Sequence, residues 1–439
     1  MRLQRIIASV IITALLFSGC TSLSLGSSEI LTPPKATGIR ADVQRLIEDD
    51  AKGSYTLIYP TAGANKNGMF LHDINHDGID EAFALYTAAD KTPRILIAQQ
   101  RQNAFQLYGC DDLYSSNVTE LSFTDFDGNG EEELLISYGI GTSHTALETF
   151  LTADGLVKSN VEEGFLDYVT GDFDGNATID LLLMTPREDD AHATAKLMAF
   201  GEEGFSEKSL CEIDSNVISY TGLRFGRISA NLSGAAADGK LENGEHTTQL
   251  IYYDSAAKIL VNPLYMNNHY KQNIRNSSVT CLDIDDDGIL DVPLSAVMDH
   301  REDEDVSSVC NVARWNDYDP EQMGLSFKQD AVLCEKLGFM LLFATEKLKT
   351  ITARYSADNA VTLYRVSYKN SVPVLGGVLL TVYRYEKNSD DSSQEGQTLL
   401  DETDAYTYTY LLSEDSSISR DDIKNSFMLL SPDDDSSPK

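Results

Sequence analysis

A short acidic pattern occurs four times in this chain and restricts its possible folds more than any other feature. The copies begin at Asp73, Asp125, Asp172 and Asp283 and read DINHDGIDE, DFDGNGEEE, DFDGNATID and DIDDDGILD. Every copy has an acid or amide at positions one, three, five and nine, and position six is glycine except at Ala177. Calcium prefers six to eight oxygen ligands, and alternate residues of a tight loop can direct theirs at one ion. One match arises easily by chance, but four in similar surroundings do not.

The pattern predicts a complete ligand set for each loop, with four side chains and the backbone carbonyl of position seven. The predicted ligands are Asp73, Asn75, Asp77, Ile79 and Glu81; Asp125, Asp127, Asn129, Glu131 and Glu133; Asp172, Asp174, Asn176, Thr178 and Asp180; and Asp283, Asp285, Asp287, Ile289 and Asp291. Because the third loop departs from the pattern at position six, we expect three or four structural Ca²⁺ ions.

The residues around the loops exclude a helix–loop–helix calcium sensor. Such a sensor needs a bidentate glutamate at position twelve, where this chain has only the apolar residues Ala84, Ile136, Leu183 and Leu294. Short apolar runs precede and follow each loop, as in EAFALY and DLLLMT, and they are typical of buried strands. The loops are therefore expected to connect strands.

A longer period surrounds the loops. Further strand patterns follow each one, for example RILIAQQ and AFQLYG in the first unit, at a spacing of roughly 50 residues, which is typical of propeller blades. LRFGRISAN aligns with LSFTDFDGN and marks a fifth unit, in which Arg227 and Ser229 stand where acids stand elsewhere. We expect this unit to lack an ion, with the Arg227 cation in its place.

The units resemble FG-GAP/VCBS-type repeats, the blade motif of integrin α-subunit propellers and many bacterial surface proteins. The resemblance covers about residues 66–330. It implies a mainly β fold, a calcium-binding β-propeller over residues 36–334 with five visible blades and six or seven as alternatives, and structural calcium in the loops.

The N-terminal residues predict an export signal. Arg2 and Arg5 precede an apolar run too short to span a bilayer, and LLFSGC ending at Cys20 resembles a bacterial lipoprotein signal. We expect a signal peptide at residues 1–19, lipidation of Cys20, a tether at 20–35, and localisation on the extracytoplasmic face of the membrane. An ordinary secretory signal with an incidental cysteine is the alternative.

The remaining segments carry a different pattern. Strand-like runs without acidic loops fill most of residues 335–432, and Ser419 with Asp422 is a helix-start signature, so we expect a small α+β domain there. The tail at 433–439 is expected to be disordered. The five cysteines after Cys20 are widely spaced and odd in number, and indicate neither a disulfide framework nor a zinc site.

Charge and motifs limit the functions that this chain can have. With 34 Lys and Arg against 69 Asp and Glu, the formal charge of −35 disfavours nucleic acid and anionic lipid as partners. Membrane contact is expected through the lipid anchor alone. We expect a non-enzymatic binding, adhesion or scaffold module, with an unknown surface protein or glycan as its partner. The alternative is a surface hydrolase or lyase acting on glycans, with calcium as a structural cofactor.

Overall fold

The computed structural model describes residues 39–102, 104–140, 143–152, 156–187, 192–201, 204–266, 273–387 and 396–430. Four predicted features lie outside these residues: the signal peptide at 1–19, the lipidation site Cys20, the tether at 20–35 and the tail at 433–439. Of the described residues, 56% lie in strands and 9% in helices, which confirms the mainly β class.

Within the described residues, the strands form six antiparallel sheets that follow one another along the chain. The first sheet contains β1 (Thr56–Leu57), β2 (Met69–His72), β3 (Glu81–Thr87), β4 (Pro93–Arg101) and β5 (Ala104–Asp112). The second contains β6 (Val118–Thr124), β7 (Glu133–Ile140), β8 (Ser143–Leu151) and β9 (Val157–Glu163). The third contains β10 (Asp167–Gly171), β11 (Asp180–Thr185), β12 (Thr194–Gly201) and β13 (Gly204–Glu212).

The fourth sheet has four strands, and the fifth and sixth sheets have five strands each. The fourth contains β14 (Val217–Ser229), β15 (Leu232–Leu241), β16 (His246–Asp254) and β17 (Ile259–Val261). The fifth contains β18 (Val292–Val297), β19 (Asn311–Asp319), β20 (Gly324–Cys334), β21 (Phe339–Phe343) and β27 (Phe427–Leu429). The sixth contains β22 (Ile351–Ala357), β23 (Ala360–Lys369), β24 (Val372–Glu386), β25 (Thr398–Glu402) and β26 (Tyr406–Leu412). The helices are α1 (Ile39–Ala51), α2 (Pro263–Met266), α3 (Thr345–Leu348) and α4 (Arg420–Ser426), with 3₁₀ turns at Val306–Ser308 and Glu335–Leu337.

Successive sheets pack face to face because alternate residues of a strand point to opposite sides. Phe83 of β3 lies in an apolar cluster with Ile136 of the second sheet. Its neighbour Ala84 lies in a different cluster with Ile47 of α1. Comparable clusters join the second sheet to the third, the third to the fourth, the fourth to the fifth and the fifth to the sixth. Helix α1 therefore covers the face of the first sheet that points away from the second.

The C-terminal segment is shared between two sheets. Strands β21 and β27, both inside the segment 335–432, complete the fifth sheet beside β20, while β22 to β26 form the sixth. The helix-start prediction is confirmed: Ser419 accepts from the amide of Asp422, and the Asp422 side chain accepts from the amide of Ser419. These reciprocal bonds satisfy two amides that a helix start would otherwise leave unpaired.

Three further findings concern the described residues. The cysteines at 110, 211, 281, 310 and 334 are free thiols, as their spacing indicates. Among the described helices, none combines the length and apolarity that crossing a bilayer requires. No closed ring of sheets is detected among the described residues.

Candidate metal centres

The four acidic loops occupy the same place in their sheets. They are named here by their first residue: the Asp73 loop (73–81), the Asp125 loop (125–133), the Asp172 loop (172–180) and the Asp283 loop (283–291). In each, the residue before position one pairs with position nine across an antiparallel hairpin, namely His72 with Glu81, Thr124 with Glu133, Gly171 with Asp180 and Leu282 with Asp291. The expectation that the loops connect strands is confirmed for the first three, and the Asp283 loop begins at an isolated bridge.

Position one organises the turn in every loop. Its carboxylate accepts the backbone amide of position six at 2.7–2.9 Å and that of position five at 3.0–3.2 Å. These bonds hold the loop closed around its own side chains. The oxygen that accepts the position-six amide, Oδ2 in every loop, keeps a further lone pair that can face a cation.

Position six takes the left-handed backbone conformation in all four loops. The φ angles are 85° at Gly78, 93° at Gly130, 78° at Gly288 and 69° at Ala177. Glycine adopts this conformation without steric cost, whereas a residue with a Cβ is strained there. Ala177 takes the same conformation despite this strain, so the loop geometry is kept where the sequence departs from the pattern.

The acid at position nine is buried in every loop. Glu81, Glu133, Asp180 and Asp291 are 0–3% exposed, and each accepts the backbone amide of position two at 2.9–3.3 Å. Burial, together with the nearby charges of Asp127 and Asp125, raises the pKa of Glu133 to about 7. A buried carboxylate of this kind is stabilised in its charged form by a cation.

Three of the loops bring their acids together. In the Asp125, Asp172 and Asp283 loops, three carboxylates each offer an oxygen, and these oxygens lie within 4.8 Å of one another. They can hold a metal ion, and hard oxygen donors suit calcium. The Asp73 loop, with an asparagine at position three, forms no such group among its described carboxylates.

Lysines enter two of these loops, a feature that the local sequence does not indicate. Lys208 of β13 forms an ion pair with Asp174 and lies 3.5 Å from Asp180. Its ammonium also lies 5.0 Å from the ring centre of Tyr253. Asp174 and Asp180 are positions three and nine of the Asp172 loop, so Lys208 contacts predicted metal ligands.

Lys328 of β20 makes the corresponding contacts in the Asp283 loop. Its ammonium lies 2.7 Å from Asp285, 3.1 Å from Asp287 and 3.0 Å from Asp291, which are positions three, five and nine. A fourth carboxylate, that of Asp317, lies at 3.3 Å. The Lys328 side chain is only 14% exposed, so water screens these contacts only in part.

The fourth sheet has no acidic loop at the corresponding turn. Strands β14 and β15 pair up to Ser229 and Leu232, leaving a two-residue turn between them. Arg227 donates to the carbonyl of Ala230 at 3.2 Å and to that of Asp287 at 3.4 Å. Its guanidinium thus lies between its own turn and the Asp283 loop.

Two neighbouring loops are also tied together. The amide of Glu132 donates to the carbonyl of Ile74 at 2.9 Å, and its carboxylate bonds the ring nitrogen of His72. The His72 ring stacks on Phe123 with centroids 4.0 Å apart. These contacts join the Asp73 and Asp125 loops across adjacent sheets, and no local sequence signal marks them.

Comparisons with known proteins leave the family of this chain open. Neither a protein-family model nor a curated protein matches it. Among solved structures, the rhamnogalacturonan lyase PL11 of Bacillus licheniformis is 10% identical, with a TM-score of 0.33 over 74% of this chain and 77% of that chain. Sqt1 of Saccharomyces cerevisiae is 7% identical, with a TM-score of 0.30 over 79% of this chain and 98% of that chain. Both TM-scores are too low to support an argument about fold or function.

Proposed function

We propose that this chain is a non-enzymatic lipoprotein anchored on the extracytoplasmic face of a bacterial membrane, where a calcium-stabilised β-propeller acts as a binding, adhesion or scaffold module. The observation that carries the proposal is the equivalence of the four acidic loops. Each has the same register, the same bonds from positions one and nine, and the same left-handed position six.

The propeller is supported by the blade-like units. The second, third and fourth sheets are up-and-down arrangements of sequential strands, and the first has the same order from β2 to β5 with β1 also paired to β3. Each of these sheets packs on the next through an apolar cluster. In a closed ring, α1 would lie between the first sheet and the last, because it covers the free face of the first sheet.

Calcium is proposed as a structural ion rather than a reactant. The four loops set the maximum at four ions, and three of them gather the required oxygens. The residues fit the ion because they are hard oxygen donors held at the end of a rigid hairpin. When bound, the ion would neutralise the buried acids at position nine and hold two strands together.

Calcium removal tests this role. At 10 mM Ca²⁺, a site with the millimolar to submillimolar affinity of extracellular modules adds about 1–3 kcal/mol to the free energy of unfolding. We expect the melting temperature of the purified protein to fall in chelator and to recover with calcium, and less with magnesium. A melting temperature that is the same in chelator and in calcium would refute the stabilising role.

The enzyme alternative requires a separate test. A binding module should release no product from a panel of glycans and should retain a partner in pull-downs from envelope extracts. A hydrolase or lyase would instead show turnover that one carboxylate substitution abolishes without changing the melting temperature. Acids committed to calcium are poor proton donors, which is why the binding module is preferred.

The lipid anchor is tested at Cys20. We expect the wild-type protein to incorporate radiolabelled fatty acid and to sediment with membranes. The Cys20→Ala variant should incorporate no label and should be released from the membrane fraction. Unlabelled wild-type protein would favour the ordinary secretory signal.

A further inference from the structure

We infer that Lys208 and Lys328 take the place of a divalent ion in the Asp172 and Asp283 loops. Calcium is then held only by the two loops that receive no lysine: the Asp125 loop, whose acids already lie together, and the Asp73 loop, whose carboxylates would come together on the ion. This inference rests on the proposed calcium function and refines it. It divides four loops that are alike in sequence into two that need an external ion and two that carry an internal cation.

The two lysines occupy equivalent positions. β13 begins GFSEK at Gly204 and β20 begins GLSFK at Gly324, so each lysine is the fifth residue of its strand. In both sheets the pairing register shifts at this residue, between Leu197 and Met198 in one and between Trp315 and Asn316 in the other. A β-bulge of this kind turns a side chain away from its regular direction.

The other two metal loops have different residues at the bulge. In the first sheet the register shifts between Ile97 and Ala98, and the extra residue on the partner strand is Tyr108. In the second sheet the shift spans Glu148 to Phe150, and the residue corresponding to Lys208 is Ser159. Neither tyrosine nor serine carries a positive charge, so these loops receive no cation from the bulge.

An ammonium and a calcium ion compete for the same oxygens. Lys328 lies 2.7–3.1 Å from the carboxylates of positions three, five and nine, and bound calcium would need these oxygens at about 2.3–2.6 Å. Both cations therefore require the same small space, and like charges repel strongly at that distance. Calcium can enter only when the lysine leaves.

Placing a lysine in the loop also costs less entropy than binding a free ion. Lys208 is 20% and Lys328 is 14% exposed, and each belongs to a strand whose backbone is already ordered by sheet pairing. A tethered cation has no dilution penalty, whereas a free ion binds according to its concentration. These two loops therefore stay closed when calcium falls.

A matched pair of loop variants tests the inference by isothermal titration calorimetry. Position three is exchanged in two sibling loops, as Asp127→Ala and Asp174→Ala. We expect two bound calcium ions in the wild type and one in Asp127→Ala. Asp174→Ala should keep two, and should melt at a lower temperature than the wild type in calcium, because Lys208 loses an ion-pair partner.

Lysine variants provide the reciprocal test. Lys208→Met removes the internal cation and should raise the count to three ions, with the new site binding in the submillimolar to millimolar range. Lys240→Met, which removes an exposed lysine, should leave the count at two and controls for the change in net charge. If Lys208→Met does not fold, the comparison of Asp127→Ala with Asp174→Ala still decides.

The outcomes separate this inference from the proposed function. Four ions in the wild type, or the loss of an ion in Asp174→Ala, would overturn the lysine assignment and leave the calcium function standing. A wild type that binds no calcium would overturn both. A folded Lys208→Met variant that still binds two ions would also overturn the lysine assignment.

Discussion

The ion pair between Arg275 and Asp238 provides the sharpest test of how the later sheets are held together. The Arg275 side chain is 0% exposed and that of Asp238 is 2% exposed, with 2.7 Å between Nη2 and Oδ1. Arg275 also donates to the carbonyl of Val279 through Nε at 3.1 Å and through Nη2 at 2.7 Å, and to the hydroxyl of Thr248 at 2.9 Å. The pair joins β15 of the fourth sheet to the segment that leads into the fifth.

The Arg275→Met variant should lose much of this stability. It would leave Asp238 buried with donors from Thr248 at 2.5 Å and the amide of Cys281 at 2.8 Å, but without a countercharge. Breaking a buried pair by removing one partner costs about 3–5 kcal/mol. The carbonyl of Val279 would also lose both of its Arg275 donors, which adds to the penalty.

The measurement is urea unfolding at saturating calcium, with Arg301→Met as the control. Arg301 pairs with Asp303 on the surface, where the side chains are 58% and 71% exposed, and its loss should cost less than about 1 kcal/mol. We expect the midpoint for Arg275→Met to fall by about 1 M urea or more. The double variant Arg275→Met with Asp238→Asn should cost less than the sum of the single changes.

Equal costs for Arg275→Met and Arg301→Met would refute the reasoning. So would strict additivity in the double variant, because residues in direct contact should share an interaction energy. Either result would mean that the buried pair contributes no more than an exposed one.

Two further predictions follow from packing and charge. Gly171→Ala should destabilise the protein by about 1–3 kcal/mol in urea unfolding, because the added Cβ would lie 2.3 Å from the Phe225 ring. Gly377→Ala is the control: an added Cβ there meets no atom within 4 Å, so this variant should be near neutral in the same assay. Burial raises the pKa of Asp167 to about 6, above the value near 4 of an aspartate in the unfolded chain. Ionisation of Asp167 therefore lowers the free energy of unfolding progressively as the pH rises from about 4 to about 6, and the full loss is present above pH 6. Asp167→Asn should therefore raise the melting temperature at pH 7.5 and not at pH 3.5. The control Asp404→Asn, at an exposed residue, should show no such difference between the two pH values. A higher melting temperature of Asp167→Asn at both pH values would contradict the charge argument.

Local sequence was sufficient for the loops and the strands beside them. Position-one acids such as Asp125 find their donors within five residues along the chain, and apolar runs such as EAFALY become buried strands. Hydrogen bonds to near neighbours and the two-residue period of a strand depend only on adjacent sequence. The mainly β class, the hairpin position of the loops and the Ser419 helix start were all predictable for this reason.

The calcium content was harder to predict because it depends on distant residues. Lys328 reaches Asp287 across 41 positions of sequence, and Lys208 reaches Asp174 across 34. Neither lysine has a sequence mark that distinguishes it from a solvated one. Only the register shift beside it directs its ammonium into the loop.

The sequence by itself determined the repeated unit, since four copies of one acidic turn between strand patterns specify the same hairpin wherever they occur. The tertiary structure alone decided what each unit meets: α1 on the first sheet, a lysine in two of the loops, and β27 at the edge of the fifth sheet. The physical reason is that turns are stabilised by bonds between near neighbours, whereas packing faces and ion pairs are stabilised by groups brought together only when the whole chain has folded.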